Sequence, residues 1–164
     1  MKKNILFILI IVLVLLLIGC RTKSVQYHVA YEGVGFFGFE KLNHTYLMNK
    51  CVKSKKELVE LCEEYSNGFY DKNSRIYDND IPKKIRSYDE SFFNNNDLII
   101  IVVEKNDSFE YKINDIFIDN SEIVVNLKKV RNHGTFTDEA YGYLFLIELE
   151  KKEQVEILLN VKDK

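Results

Sequence analysis

The chain has 164 residues, of which 23 are basic and 25 acidic, so its net charge is −2 at neutral pH. Binding to nucleic acid needs a basic patch, and none is visible in the sequence, which therefore predicts no nucleic-acid partner. Ten tyrosines, eleven phenylalanines and a single proline favour strands. The length suits one domain with a sizeable core.

The N-terminus has the layout of a secretion signal. Lys2 and Lys3 precede an unbroken apolar run of fourteen residues, 5–18, and a small residue, Gly19, follows it. The alternative is an uncleaved transmembrane helix, which would need about 20 apolar residues. Because the run is shorter than that, the sequence predicts a cleaved signal peptide over residues 1–19.

The end of this leader, Leu17-Ile18-Gly19-Cys20, resembles the lipobox of bacterial lipoproteins. In that family the cysteine thiol receives a diacylglyceryl group and the chain is cut before it. The resemblance implies a lipoprotein that begins at Cys20, carries palmitate or a related acyl chain there, and is held on the extracytoplasmic face of the cell membrane. Residues 20–24 are then a lipidated tether, and residues 25–164 a single globular domain.

The first half of that domain predicts two strands and one helix. Apolar residues alternate over residues 25–31 and predict a strand, and a second strand is predicted around residues 46–53. Ser54 and Glu57 have the spacing of a capping box, which predicts a helix over residues 55–66. Its apolar face repeats at helical spacing through Leu58, Leu61, Cys62 and Tyr65.

The segment that follows this helix is polar. Residues 67–87 contain Pro82 and are predicted to be irregular, and a short helical turn is predicted over residues 87–93. This turn would direct Phe92 and Phe93 inward.

The second half predicts a sheet. Residues 98–103 are apolar on both faces, which is typical of a central strand. The alternation changes parity at Asn114-Asp115 and predicts a bulge there. Short linkers favour sequential antiparallel hairpins. The predicted fold class is α+β, a mostly antiparallel β-sheet or small sandwich with one amphipathic helix packed on it. Its other strands lie around residues 109–118, 123–128, 143–149 and 155–161.

Motifs for catalysis or cofactors do not assemble in the sequence. The string Gly33-x-Gly35-x-x-Gly38 lacks the strand and helix of a dinucleotide-binding unit. His28, His44 and His133 have no second ligand at metal spacing. The chain is therefore predicted not to be an enzyme, with no catalytic residue, no metal and no cofactor.

Two cysteines remain besides Cys20. In an exported protein, Cys51 and Cys62 could form one disulfide or stay as two buried thiols. Cys62 lies on the apolar face of the predicted helix, as a core residue would, and this favours the thiols.

Residues 88–152 resemble the C-terminal domain of PrcB-type accessory subunits, which are lipoproteins of secreted bacterial protease complexes. The resemblance is carried by Phe92-Phe93, the apolar strand 98–103, Gly134-Thr135, residues 138–140 and the aromatic strand 143–148. The family often has a Thr-Gly-Gly-Tyr turn in its first hairpin, where this chain has Asn106-Asp107-Ser108-Phe109. The resemblance implies a non-enzymatic accessory role and supplies no catalytic residue.

Two functions follow from these observations. The first is a lipid-anchored protein-binding or accessory module for an exported partner such as a protease. Its expected contact loops contain Asn106, Asp107, Ser108, Phe109, His133, Gly134, Thr135 and Asp138. The alternative is a binder of an envelope small molecule or cell-wall fragment. The aromatic wall of its pocket would be Tyr65, Phe69, Tyr70 and Tyr77.

Lipidation at Cys20 is directly testable. In cells grown with radiolabelled palmitate we expect a labelled membrane band at the size of this protein, because acyl chains on Cys20 would anchor it. The Cys20→Ala variant should lose the label and leave the membrane fraction. An unlabelled parent chain, or a parent recovered from the cytosol, would contradict the prediction.

Overall fold

The computed structural model describes residues 23–34, 46–65, 68–105, 108–119, 122–131, 141–151 and 158–163. Within these ranges the chain forms eight strands and three helices. The strands are β1 (Lys23–Ser24), β2 (Tyr27–Val34), β3 (Tyr46–Val52), β4 (Asn96–Lys105), β5 (Phe109–Asp119), β6 (Glu122–Arg131), β7 (Tyr141–Glu150) and β8 (Leu158–Asp163). The helices are α1 (Lys55–Tyr65), α2 (Asp80–Ser87) and α3 (Glu90–Asn95).

The strands form two four-stranded sheets. The middle sheet has the order β2-β7-β4-β3 and the outer sheet the order β1-β5-β6-β8. All described pairs are antiparallel except β6 with β8, which is parallel. The chain passes from the middle to the outer sheet between β4 and β5, and returns between β6 and β7.

The middle sheet is buried on both faces, because successive side chains of a strand point to opposite sides. One face packs on the outer sheet through Ile99, Ile101, Phe145 and Ile147, against Ile123, Val125 and Leu127. The other face packs on the helices through Leu98, Ile100, Leu144 and Leu146, against Leu58, Ile85 and Phe93. The protein therefore has three layers, and the predicted α+β class with a mostly antiparallel sheet or sandwich is confirmed.

Helix α1 begins as the capping box predicts. The Ser54 hydroxyl accepts a hydrogen bond from the backbone N–H of Glu57 at 3.1 Å. The Glu57 carboxylate reaches back to the N–H of Lys53 at 2.7 Å, one residue earlier than in the usual motif. Leu58, Leu61 and Cys62 are buried against the middle sheet.

Helix α2 lies where the sequence predicted irregular chain, so the prediction of one helix was incomplete. Pro82 is the third residue of α2, where a backbone N–H has no partner within the helix, so proline is tolerated. Ile81 and Ile85, four residues apart, bury one face. Pro82 thus marks a helix start rather than a loop.

Helix α3 overlaps the short helical turn predicted over residues 87–93, but it begins later, at Glu90. The Asp89 carboxylate caps it by accepting from the N–H of Phe92 at 2.9 Å. Phe93 is buried and Phe92 packs partly buried against the same core, so the predicted inward placement of both rings is confirmed.

The predicted bulge in β5 is also confirmed. Its register with β6 shifts between Ile113 and Asp115. Tyr111 and Ile116 are five residues apart, so they would face opposite sides of a regular strand. Because of the shift, both side chains pack in the core between the sheets. The Asp115 carboxylate accepts a hydrogen bond from the Asn126 side chain of β6, which fixes the bulge to its neighbour.

The last strand departs from the predicted chain of hairpins. β7 is paired on one side with β2 and on the other with β4, so it has no free edge for β8. β8 instead joins the outer sheet, parallel to β6. At the other terminus, Lys23 and Ser24 of the predicted tether pair with Ile118 and Phe117 of β5.

Cys51 and Cys62 are free thiols. Cys62 belongs to the core on the helix side of the middle sheet, whereas Cys51 packs against the core between the two sheets. The sheet therefore separates them. Burial raises the pKa of both thiols to about 12.

We expect both thiols to be unreactive in the folded chain. At pH 8 only about one in 10,000 would be a thiolate when the pKa is near 12. In a Cys20→Ser variant, a thiol reagent such as Ellman's should react slowly before unfolding and detect two thiols in guanidinium without reductant. Detection of no thiol after unfolding would instead indicate a disulfide.

Candidate functional site

The ends of four strands meet at one end of the sandwich. Lys105, the last residue of β4, is in register with Tyr141, the first residue of β7. Phe109, the first residue of β5, is in register with Arg131, the last residue of β6. We call this the loop-bearing end, because the two predicted contact loops leave the sheets there. Loops held on a rigid scaffold are the usual position of binding residues.

Only part of the predicted contact set lies in the described ranges. Asn106, Asp107, His133, Gly134, Thr135 and Asp138 lie outside the described residues. Ser108 occupies a turn and is half-buried. Phe109 packs against the core between the sheets, with its ring edge-to-face on Tyr111 at 5.3 Å between centroids. Phe109 therefore supports the loop as well as flanking it.

Lysine side chains cover aromatic rings at this end. The Lys129 ammonium lies 3.8 Å from the centre of the Phe109 ring. The Lys105 ammonium lies 4.5 Å from the centre of the Tyr143 ring, and Lys105 is only 8% exposed. Such contacts hold a cation against an aromatic face. The sequence analysis did not predict these contacts, although both lysines lie near the ends of strands that border the predicted loops.

Tyr143 also ties the loop-bearing end to the sheet edge. Its hydroxyl donates to the Glu32 carboxylate of β2 at 3.0 Å. Burial, together with this hydrogen bond, raises the pKa of Tyr143 above its ordinary value, so the phenol remains a donor at neutral pH. The strand starts at this end are therefore held by polar as well as aromatic contacts.

Three of the four rings expected to line a ligand pocket pack against the helix-side core. Phe69 is fully buried, and Tyr65 and Tyr70 pack against the helix-side core. Lys55 donates to the Tyr70 hydroxyl at 2.9 Å and to the carbonyl of Tyr88 at 2.8 Å. These contacts use the aromatic surfaces within the fold rather than around a cavity.

Arg86 fixes the segment that carries two of these rings. Its guanidinium donates to the carbonyls of Phe69 at 2.6 Å and of Tyr77 at 2.8 Å. It also lies 3.6 Å from the centre of the Tyr77 ring. A planar guanidinium can make two directed bonds and stack at once, which a lysine cannot do. Arg86 therefore fastens residues 68–79 to α2.

Two open cavities lie at the edges of the middle sheet. One, of about 370 Å³, lies between β2 and the start of α2 and is lined by Tyr31, Val34, Asp78, Asn79, Asp80 and Ile81. The other, of about 280 Å³, lies between β3 and α1 and is lined by Lys50, Cys51, Val52, Glu57, Glu60, Leu61 and Glu64. Neither is lined by Tyr65, Phe69, Tyr70 or Tyr77.

A polar cluster joins the helices to β7. The Glu148 carboxylate accepts from the Tyr88 hydroxyl at 3.0 Å and lies 3.3 Å from the Lys84 ammonium. Burial and the neighbouring carboxylate raise the pKa of Tyr88, so this phenol stays protonated. The carboxylate is thus occupied by two donors, and the cluster is suited to holding α2 on the sheet.

Asp97 is the buried acid at the start of β4. It is 4% exposed, and its Oδ1 has no hydrogen-bond partner. The nearest cation is the Lys151 ammonium at 4.0 Å. Burial raises the pKa of Asp97 above its ordinary value, and nearby lysines only partly offset this effect.

The described residues contain neither a cluster suited to a metal ion nor a helix suited to spanning a membrane. Among them, no group of three or more His, Cys, Asp and Glu side chains is placed to hold a metal ion. No helix in the described ranges is both long and apolar enough to cross a bilayer. Comparison of the chain with family models, curated proteins and solved structures gives no match in any of the three.

Replacement of Asp97 should reveal the cost of its burial. Because the folded chain holds this proton more tightly than the unfolded chain, stability falls as pH rises through the ordinary aspartate pKa and up to the raised value. Asp97→Asn cannot ionise, so we expect a higher free energy of unfolding than the parent at pH 7, with the difference shrinking below about pH 4.

Urea denaturation at pH 7 and pH 3 measures this difference. Glu150→Gln, which changes an exposed acid at the end of β7, is the matched control. An Asp97→Asn effect of equal size at both pH values would contradict the role of ionisation.

Proposed function

We propose that this chain is a lipid-anchored extracytoplasmic lipoprotein that acts as a non-enzymatic accessory module. It would bind an exported protein through its loop-bearing end, and a secreted protease is the first partner to test. The proposal combines the lipobox-like leader with the position of the described strands relative to Cys20.

The single observation that carries the proposal is the placement of β1. Lys23 is in register with Ile118, near the end of β5 that is opposite to Phe109. Lys23 is three positions after Cys20, which allows a reach of about 10 Å. An acyl anchor at Cys20 would therefore hold the β1 end of the outer sheet close to the lipid.

The loop-bearing end would then face away from the membrane. From Ile118 to Phe109 the strand extends by about 30 Å at the usual rise per residue. Binding loops at that height are accessible to a protein in the extracytoplasmic space. The short segment between Cys20 and β1 supports this orientation, because it would leave the domain little freedom to tilt onto the membrane surface.

The composition of the loop-bearing end also suits a protein partner. Tyr141, Tyr143 and Phe109 lie there in half-buried positions, with Arg131 exposed beside them. Aromatic residues and arginine are enriched in protein interfaces. Rigid aromatic rings lose little conformational entropy on binding, which suits a contact surface.

The test is recovery of a partner from membranes after cross-linking in cells. We expect the parent chain to recover a reproducible protein partner, and the loop variant His133→Ala/Asp138→Ala to recover about tenfold less, as loss of a central contact would. Lys56→Glu, on the exposed side of α1, is the control and should recover as much as the parent.

Thermal unfolding of each variant separates binding from folding. No reproducible partner with the parent, or equal recovery with the loop variant, would overturn the proposal. A thermal shift of several degrees with a cell-wall fragment would instead favour the small-molecule alternative.

A further inference from the structure

β2 forms an open edge of the middle sheet. The sheet order ends with β2, and its inner neighbour is β7, so no described strand pairs with its outer side. An edge strand presents unpaired backbone N–H and C=O groups that another extended segment can join. Proteins usually block such an edge with a proline, a lysine, a bulge or a covering element.

The feature that hinders strand addition to β2 lies in its first half. A bulge at Ala30 interrupts the register between Val29 and Tyr31. The remaining segment, Tyr31 to Val34, contains no proline and no lysine, and the carboxylate of its charged residue, Glu32, accepts a hydrogen bond from Tyr143 of the neighbouring strand. In the described part of the chain, the large apolar side chains that are exposed are Tyr27 at 38% and Val34 at 49%, and both belong to β2.

The open half of this edge borders the larger cavity. Tyr31 and Val34 form one wall, and Asp78, Asp80 and Ile81 contribute to the other. The cavity is lined by no lysine or arginine, and the carboxylates of Asp78 and Asp80 form no ion pair within the described ranges. Within the described ranges the groove therefore combines a free strand edge, an apolar rim and negative charge that no ion pair compensates.

The charge of the groove acts on the strand itself. Burial raises the pKa of the Tyr31 phenol, and the negative charge of Asp80 raises it further. The Tyr31 hydroxyl approaches the carbonyl of Val34 at 3.4 Å, over Gly33. A Cβ at Gly33 would lie 2.9 Å from that hydroxyl, so glycine leaves room for the Tyr31 ring beside residue 33.

We infer that the edge from Tyr31 to Val34 accepts an extended segment of a partner protein as an added strand, with a lysine or arginine of that segment entering the groove beside Asp78 and Asp80. Main-chain hydrogen bonds would supply affinity, and the basic side chain would supply specificity. The inference rests on the proposed protein-binding function and adds a surface and a partner chemistry to it.

The position of the edge agrees with that function. Val34 is in register with Tyr143, so the open half of β2 lies near the loop-bearing end and not near β1. A partner bound to the loops could therefore extend a strand along β2. The four-residue segment between the bulge and the end of β2 limits the added strand to a short one.

The direct test uses two synthetic peptides and the full chain in detergent micelles, observed by amide NMR. One peptide alternates valine and threonine with lysine at both ends, and the other has glutamate in place of lysine. We expect the basic peptide to shift the amide signals of Tyr31, Glu32, Val34, Asp78 and Asp80 saturably. The acidic peptide should bind at least about tenfold more weakly.

Variants assign the binding to this edge. Val34→Lys should weaken the basic peptide about tenfold, because it repels the incoming charge and removes an apolar contact. Asn49→Lys, exposed on the opposite edge strand β3, should leave binding unchanged. Thermal unfolding confirms that both variants are folded.

Several outcomes would overturn the inference. These are no saturable shifts with the basic peptide, equal binding of the two peptides, shifts centred on β3, or unchanged binding by Val34→Lys. If the parent recovers a membrane partner and Val34→Lys recovers it equally well, strand addition fails while the proposed function stands. If no partner is recovered but the peptide binds as described, the proposed function fails and the edge remains a peptide site.

Discussion

Burial of the middle sheet on both faces is the constraint on which the fold depends. Residues 98–103 of β4 are all 0% exposed, and β7 beside them buries Leu144 to Ile147 completely. Alternate side chains must therefore fit two different cores, one under the helices and one under the outer sheet. An apolar strand of this kind cannot face water, so both faces of the sheet must be covered. The three helices cover one face and the outer sheet covers the other.

The sequence predicts the parts of this arrangement that local pattern controls. The apolar run at residues 98–103 marks a strand with no solvent face, Ser54 and Glu57 mark the start of α1, and the parity change at Asn114-Asp115 marks the bulge. Helix α2 escapes this reasoning because Pro82 indicates a loop unless it occupies the first turn of a helix. The pairing of β8 with β6 also escapes, because it depends on β2 and β4 occupying both edges of β7.

The candidate site likewise has parts that the sequence predicts and parts that it does not. Composition predicts contact loops at residues 106–109 and 133–139, and the strand registers bring the flanking residues Lys105, Tyr141 and Arg131 to the same end of the sandwich. The cation–π contacts of the lysines join residues up to 38 positions apart, as in Lys105 with Tyr143. Sequence periodicity reports only on local structure and cannot predict such distant pairs. Of the proposed aromatic wall, Tyr65, Phe69 and Tyr70 pack against the helix-side core. The sequence shows that these rings are close along the chain. It does not show the contacts of Lys55 with Tyr70 and of Arg86 with Tyr77, which hold two of the rings against the helices.

The same constraint decides which surfaces remain for a partner. The two faces of the middle sheet are used by the core, so the sheet can meet another protein only through its ends and its edges. One end leads to the loops, and the first edge, β2, has no described strand on its outer side from Tyr31 to Val34 and lies beside two carboxylates without an ion pair among the described residues. The opposite edge, β3, borders a groove in which Lys50 lies among three glutamates, and Glu57 is already engaged by the N–H of Lys53. The negative charge at β3 is therefore partly compensated within the fold, whereas no described ion pair compensates that at β2, and this difference would direct a basic extended segment to β2.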